Sequence, residues 1–142
     1  MQTIGVIGAG LMGNGIAHVS ALAGYAVILS DVEMARAEAA RATIARNLGR
    51  GVSKGVVAQD AADAALTRIS LTTDNAAFAD ADLVIEAATE NEAVKRKIFA
   101  GLALKPAALL ATNTSSISIT RLAATSDRPD RFTGLHSRSL PR

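Results

Sequence analysis

The feature that most constrains this chain is a glycine triad set between a strand and a helix. Thr3-Ile4-Gly5-Val6-Ile7 reads as a buried strand, and Gly8-Ala9-Gly10-Leu11-Met12-Gly13 follows it directly. Met12, Ile16, Val19 and Ala23 then keep helical spacing until Gly24 offers a C-cap. In that setting a G-x-G-x-x-G pattern has a mechanism that an isolated match lacks. Gly8 is expected to make the tight turn, Gly10 to let a pyrophosphate approach backbone with no Cβ in the way, and Gly13 to let helix and strand pack closely. Leu11, Met12 and Gly13 open the helix, where unpaired N–H groups and partial positive charge favour phosphates.

A second strand is expected at Tyr25-Ala26-Val27-Ile28-Leu29, and Asp31 stands at its end. A carboxylate there can accept both hydroxyls of an adenine ribose, and it would repel a 2′-phosphate. The expected cofactor is therefore NAD rather than NADP. Arg36, the nearest arginine, is expected not to lie beside Asp31 and so not to offset its charge.

The rest of the chain alternates between strand-like and helical periods, as βαβ units do. Residues 33–66 carry no strand signal, only alanine-rich helical sequence expected to break around Gly49, Gly51, Ser53 and Gly55, so that two helices fill one crossover. Further strands are expected at 69–72, 83–86, 108–111 and 132–135. Thr89-Glu90-Asn91-Glu92 matches a capping box, and Val94, Ile98 and Leu102 supply the apolar stripe of the helix it would start. A short helix is expected over 118–124. This order predicts an α/β chain with a Rossmann-type, doubly wound, mostly parallel sheet and a two-helix crossover insertion.

With 142 residues, one domain with one core is expected. The chain contains no cysteine, which excludes a disulfide framework, a thiolate zinc site and a cysteine nucleophile; no metal site is expected, and a reducing, cytoplasmic setting fits. Aromatic residues make up only 3%, too few for a stacking nucleic-acid surface, and a net charge of +2 is no polyelectrolyte. The start, MQTIGVIGAG, has no basic segment and its apolar run is broken by glycines, so neither a signal peptide nor a membrane span is expected.

Four segments, the glycine turn among them, carry a resemblance. GAGLMGNGIA, DLVIEAATEN, ATNTSSISIT and RPDRFTGLH occur in this order, and together they resemble the NAD-binding domain of the L-3-hydroxyacyl-CoA dehydrogenase family, which includes 3-hydroxybutyryl-CoA dehydrogenases. The resemblance implies oxidation of (S)-3-hydroxyacyl-CoA to 3-oxoacyl-CoA with NAD. It implies that His136 is the catalytic base and that Ser115 hydrogen-bonds the substrate oxygen. An imidazole with an ordinary pKa near 6.5 can take a hydroxyl proton at neutral pH while hydride leaves for the nicotinamide. His18, on the first helix, is read instead as a solvated or core histidine. The resemblance also implies that Glu90 and Lys95 lie on the nicotinamide side of the cofactor, that Asn113 contacts the cofactor and that Lys54 faces the phosphates of coenzyme A. Arg46, Arg50 and Lys54 are spaced by four, which on a continuous helix forms a basic ridge.

The resemblance spans about residues 2–136. Residues 1–136 are expected to form the NAD-binding domain and 137–142 a non-matching tail. The family's all-helical second domain, and a Glu about a dozen residues past the histidine that orients it, are expected to be absent from this chain. Acyl-CoA is the expected partner, along with a second copy of the chain in a homo-oligomer; nucleic acid and membrane are not expected. Two other readings stay compatible with the residues: a non-catalytic NAD-binding remnant or assembly module, and another Rossmann dehydrogenase acting on a small hydroxy acid.

Overall fold

The computed structural model describes residues 1–114 and 118–135. Its elements are β1 (Thr3–Ile7), α1 (Leu11–Leu22), β2 (Ala26–Ser30), α2 (Met34–Ser53), α3 (Gln59–Arg68), β3 (Ile69–Thr72), β4 (Leu83–Glu86), α4 (Glu92–Ala100), β5 (Leu109–Asn113), α5 (Ile119–Ala123) and β6 (Phe132–Leu135). Short 3-10 turns cover Asn75–Phe78 and Pro129–Arg131. The six strands form one sheet in the order β3-β2-β1-β4-β5-β6, and every neighbouring pair is parallel. The order reverses between β1 and β4, the place where a doubly wound sheet opens a crevice at the carboxyl ends of its strands.

Both faces of the sheet are covered, which is why its strands read as continuous apolar runs rather than alternating ones. Ile4, Val6, Val27, Leu29, Ile85 and Ala111 pack on one side with Ile16, Ala17, Ile44 and Leu48 of the first two helices. Ile7, Val84 and Leu110 point to the other side, against Phe78, Phe99 and Leu122. Few aromatics are available, and each is used closely. Phe78 is fully buried over Gly5, where a Cβ would come within 2.4 Å of its ring, and Phe99 meets Phe132 edge-on at 5.1 Å between ring centres.

Three local readings are corrected by the packing. Helix α1 buries Gly13, Ile16, Ala17 and Ala21, while Val19, expected on the apolar stripe, is 67% exposed. Gly13 brings the helix so close to β1 that only small side chains fit along its inner row, at the i, i+4, i+8 positions. Helix α2 runs unbroken through Gly49 and Gly51, and the break falls at residues 54–58, where Gly55 takes φ +75°. A Cβ at Gly51 would press on Val57 at 2.9 Å, so that glycine serves the turn between the helices rather than ending α2 early. Finally, the N-cap of α4 is Asn91, whose side chain accepts from Val94 N–H at 3.1 Å, while Thr89 Oγ1, two residues before it, accepts from Asn91 N–H. The expected stripe holds at Ile98 and Leu102, which pack against the core, but Val94 is 43% exposed and α4 buries Lys95 and Phe99 instead. Glu92 is thereby released from capping and takes both contacts from Arg121 at 2.6 Å, tying α4 to α5; Arg121, then Arg96, hold its carboxyl below the usual range.

Candidate functional site

The glycine loop has the geometry that its three roles require. Gly8 takes φ +104°, where L side chains are strained, and a Cβ there would also meet the Ala88 backbone at 2.6 Å. A Cβ on Gly13 would lie 1.7 Å from the Gly8 carbonyl oxygen, so no other residue fits without moving the loop. Gly10 differs: its backbone is extended, and a Cβ would point into open space. That open side, with Gly10 as N-cap, no capping side chain and no acid in the first turn of α1, leaves the N–H groups of Leu11, Met12 and Gly13 for an anion. The cradle therefore fits a pyrophosphate.

Asp31, 9% exposed, is fixed by backbone: Oδ2 accepts from Ala9 N–H and Oδ1 from Glu33 N–H, each at 3.1 Å. It lines a crevice of about 460 Å³ together with Gly8 and Gly10. The rest of the crevice wall includes Val94, Ile98 and Gly101 of the α4 segment and Thr73 and Asn75. The expectation for Arg36 is overturned. The first turn of α2 brings its Nε to 3.8 Å from Asp31 Oδ2, and Arg36 lines the same crevice. The residue lies five positions beyond Asp31, but the intervening bend folds it back, which linear distance does not reveal.

At the ends of β4 and β5 the chemistry changes. Glu86, Lys95 and Thr112 are each fully buried. Lys95 Nζ donates to Glu86 Oε1, to Thr112 Oγ1 at 3.3 Å and to the Asn113 carbonyl at 3.2 Å. Thr112 Oγ1 donates to Glu86 Oε1 at 2.6 Å, and Glu86 Oε2 accepts from Ala88 N–H at 2.7 Å. Among the described residues no buried side-chain polar atom lacks a partner, as a charged pair in a dry interior requires. Above this cluster Glu90 accepts from Thr114 Oγ1 at 2.8 Å, linking the loops that leave β4 and β5.

Of the residues expected at a site, Gly8, Gly10 and Asp31 line one crevice, with Leu11, Met12 and Gly13 in the helix turn beside it. Glu90, Lys95 and Asn113 gather at the β4/β5 edge. Lys95, expected as a cofactor contact, is closed off from solvent and reaches that edge through Thr112 and the Asn113 carbonyl. Lys54 is the exposed C-cap of α2 and does not line the crevice. Ser115 and His136 lie outside the described residues. Half-buried His18, whose imidazole burial pushes below 6.5, lines no part of the crevice. The sequence reading missed Arg36, Lys97 and the Thr73–Asn75 turn as crevice residues, and also Glu86, whose place in a strand of buried type conceals a charged partner. An acid ending an apolar run was the available signal.

A parallel sheet of this order, with an anion-fitting glycine turn at its switch point and a fixed acid after β2, defines a dinucleotide-binding domain of the Rossmann type. More narrowly, the chain belongs to the family described as 3-hydroxyacyl-CoA dehydrogenase, NAD binding domain, which it matches over residues 3–141. It is 57% identical over 138 residues to a 3-hydroxybutyryl-CoA dehydrogenase of Bradyrhizobium diazoefficiens, covering 96% of this chain and 47% of that protein. It is 45% identical to a 3-hydroxyadipyl-CoA dehydrogenase of Escherichia coli, covering 96% of this chain and 29% of that one. The crystal structure of an (S)-3-hydroxybutyryl-CoA dehydrogenase from Ralstonia eutropha superposes with a TM-score of 0.92 at 41% identity, over 96% of this chain and 49% of that one. The chain thus spans about half the length of the curated 3-hydroxybutyryl-CoA dehydrogenases that it matches. Among the described residues no helix is long and apolar enough to cross a membrane.

Proposed function

We propose that this chain is the cofactor-binding part of an NAD-dependent dehydrogenase that interconverts (S)-3-hydroxyacyl-CoA and 3-oxoacyl-CoA. The observation that carries the reading is the anion cradle of Gly8, Gly10 and Gly13 opening beside a backbone-fixed Asp31. The first-turn N–H groups of α1 hold the pyrophosphate, and Asp31 accepts the ribose hydroxyls. NAD, when bound, supplies the hydride acceptor. Glu90 and Asn113 border the nicotinamide side, and Lys95, paired to Glu86, keeps the ends of β4 and β5 in register beneath it.

His136 takes the hydroxyl proton and Ser115 donates a hydrogen bond to the substrate oxygen; support for both comes from the motifs around them and from the family. Lys54, exposed at the end of α2, contacts the coenzyme A phosphates. The relatives' names support 3-hydroxybutyryl-CoA or 3-hydroxyadipyl-CoA as the acyl class. Self-association into a homo-oligomer belongs to the same reading, supported by apolar surface at Val19 and Val56, 67% and 76% exposed.

The test has two arms. NADH titration of the purified chain is expected to saturate. Oxidation of NADH by acetoacetyl-CoA is expected to fall about 10²- to 10⁴-fold on His136→Ala, the usual worth of a general base. A chain that binds no NADH has no such function, and turnover indifferent to His136→Ala would remove the base assignment.

A further inference from the structure

Three features of the crevice bear on which nucleotide it takes. Asp31 is locked: its side chain is 6% exposed and both oxygens accept from backbone N–H groups, so the carboxylate cannot turn away from a ligand. Arg36 is not locked. Its Nε lies 3.8 Å from Asp31 Oδ2, beyond hydrogen-bond reach, and its side chain is 58% exposed, so the guanidinium keeps its donors and its freedom to move. Both line the same crevice, beside the end of β2 where an adenine ribose would sit.

A 2′-phosphate carries a charge of about −1.5 to −2 near neutral pH and offers oxygens that match a guanidinium fork. Against Asp31 alone it would meet only repulsion. Here the acid and the base lie within one ion-pair distance, so Arg36 offsets part of the Asp31 charge at that edge of the crevice. What disfavours the phosphate is then the lack of hydrogen bonds at Asp31 and its nearby charge, opposed by an arginine already in place.

We propose that Asp31 and Arg36 together form the nucleotide-selectivity element of this site, with Asp31 selecting the free ribose and Arg36 a latent 2′-phosphate ligand that becomes dominant once Asp31 is neutralised. The inference rests on the dinucleotide-binding reading given above. It makes selectivity a contest between two side chains rather than the property of a single acid.

The chain has no Trp, so binding is read from the emission of the reduced nicotinamide, with calorimetry as a check. NADH and NADPH are titrated separately into the unaltered chain and into Arg36→Gln, Asp31→Asn, the double variant and Lys97→Gln. Arg36→Gln is expected to raise the preference for NADH over NADPH about tenfold, the worth of one charge-assisted hydrogen bond. Asp31→Asn keeps an acceptor oxygen for only one of the Ala9 and Glu33 N–H groups; with one loop hydrogen bond lost, circular dichroism is expected to stay that of the unaltered chain while the preference shifts toward NADPH. In that background Arg36→Gln is expected to cost NADPH about tenfold and NADH almost nothing. NADPH binding to Asp31→Asn also weakens with added salt more steeply than NADH binding does.

Lys97 lines the same crevice from α4 and controls for a general field effect. If Lys97→Gln moves the NADH:NADPH ratio as far as Arg36→Gln, or if Arg36→Gln leaves that ratio unchanged in both backgrounds, the inference is overturned while the dinucleotide reading stands. If the unaltered chain binds neither nucleotide, that reading fails and takes the inference with it.

Discussion

The two halves of the sheet's carboxyl edge solve different problems with different materials. At β1 and β2 the crevice is built from backbone: glycines that leave room, N–H groups that point outward, and one acid fixed by two amides. At β4 and β5 the edge is built from side chains: a buried lysine and glutamate, with a threonine between them and a strand-end carbonyl as fourth partner. The first half is open and waits for a ligand's charge. The second neutralises its own charge internally. One end of the edge is a fixed polar cradle; the other is a scaffold held by an ion pair that is closed off from solvent.

The largest expected effect lies in the second half. Lys95→Met leaves Glu86 buried without its counter-charge and is expected to cost about 3–5 kcal/mol in urea unfolding. Glu86→Gln combined with Lys95→Met is expected to recover much of that loss, because no unpaired charge remains. Strictly additive losses would show that the pair is not coupled and would break the contrast with the glycine half.

In the first half, stability and binding are expected to separate between two glycines of one motif. Gly13→Ala forces a Cβ against the Gly8 carbonyl and is expected to cost about 3 kcal/mol as well as NADH affinity. Gly10→Val puts its side chain into open space, so it is expected to cost at most about 1 kcal/mol, as an N-cap replacement, while abolishing NADH binding. Equal stability losses at the two positions would mean that Gly10 is structural and that the cradle is not open.

The smallest expected effect lies outside both halves, at the amino ends of the strands. Asp82 accepts from Lys105 Nζ at 2.6 Å and from the N–H groups of Gln2 and Thr3, and these partners, Lys105 first, hold its carboxyl well below the unfolded value of 3.8. A depressed carboxyl binds fewer protons folded than unfolded, so its contribution is complete above pH 3.8 and is lost as the pH falls below it. Thermal melts of Asp82→Asn and the unaltered chain are therefore expected to differ at neutral pH and to converge in acid. A gap that persists at low pH would assign the effect to hydrogen bonding rather than to charge.

The legibility of the molecule follows the same division. Strands β1, β3, β4 and β6 begin and end where the apolar runs do, and the glycine turn was readable because its partners are neighbours in the chain. Sequence reading failed where a helix had several plausible inner faces. In α4, Val94 and Ile98 made a credible stripe, yet the helix turned Lys95 inward because Glu86 and Thr112, on two other strands, offered it an ion pair and a hydroxyl. Arg128, which the sequence reading did not single out, is 6% exposed and donates to the carbonyls of Leu104, Lys105 and Ala108, binding a loop that is distant in the chain.

From its sequence alone this protein was determined to be a parallel α/β chain with a phosphate-accepting turn and an acid after the second strand. Those features depend on φ, on Cβ volume and on periodicity, all local properties of adjacent residues. Only the tertiary structure decided that Arg36 folds back to Asp31, that α1 faces the sheet with its smallest side chains, and that Lys95 is enclosed with Glu86. Each of these depends on which partner stands within a few ångströms, and the distances are set by how the layers close on one another rather than by spacing along the chain.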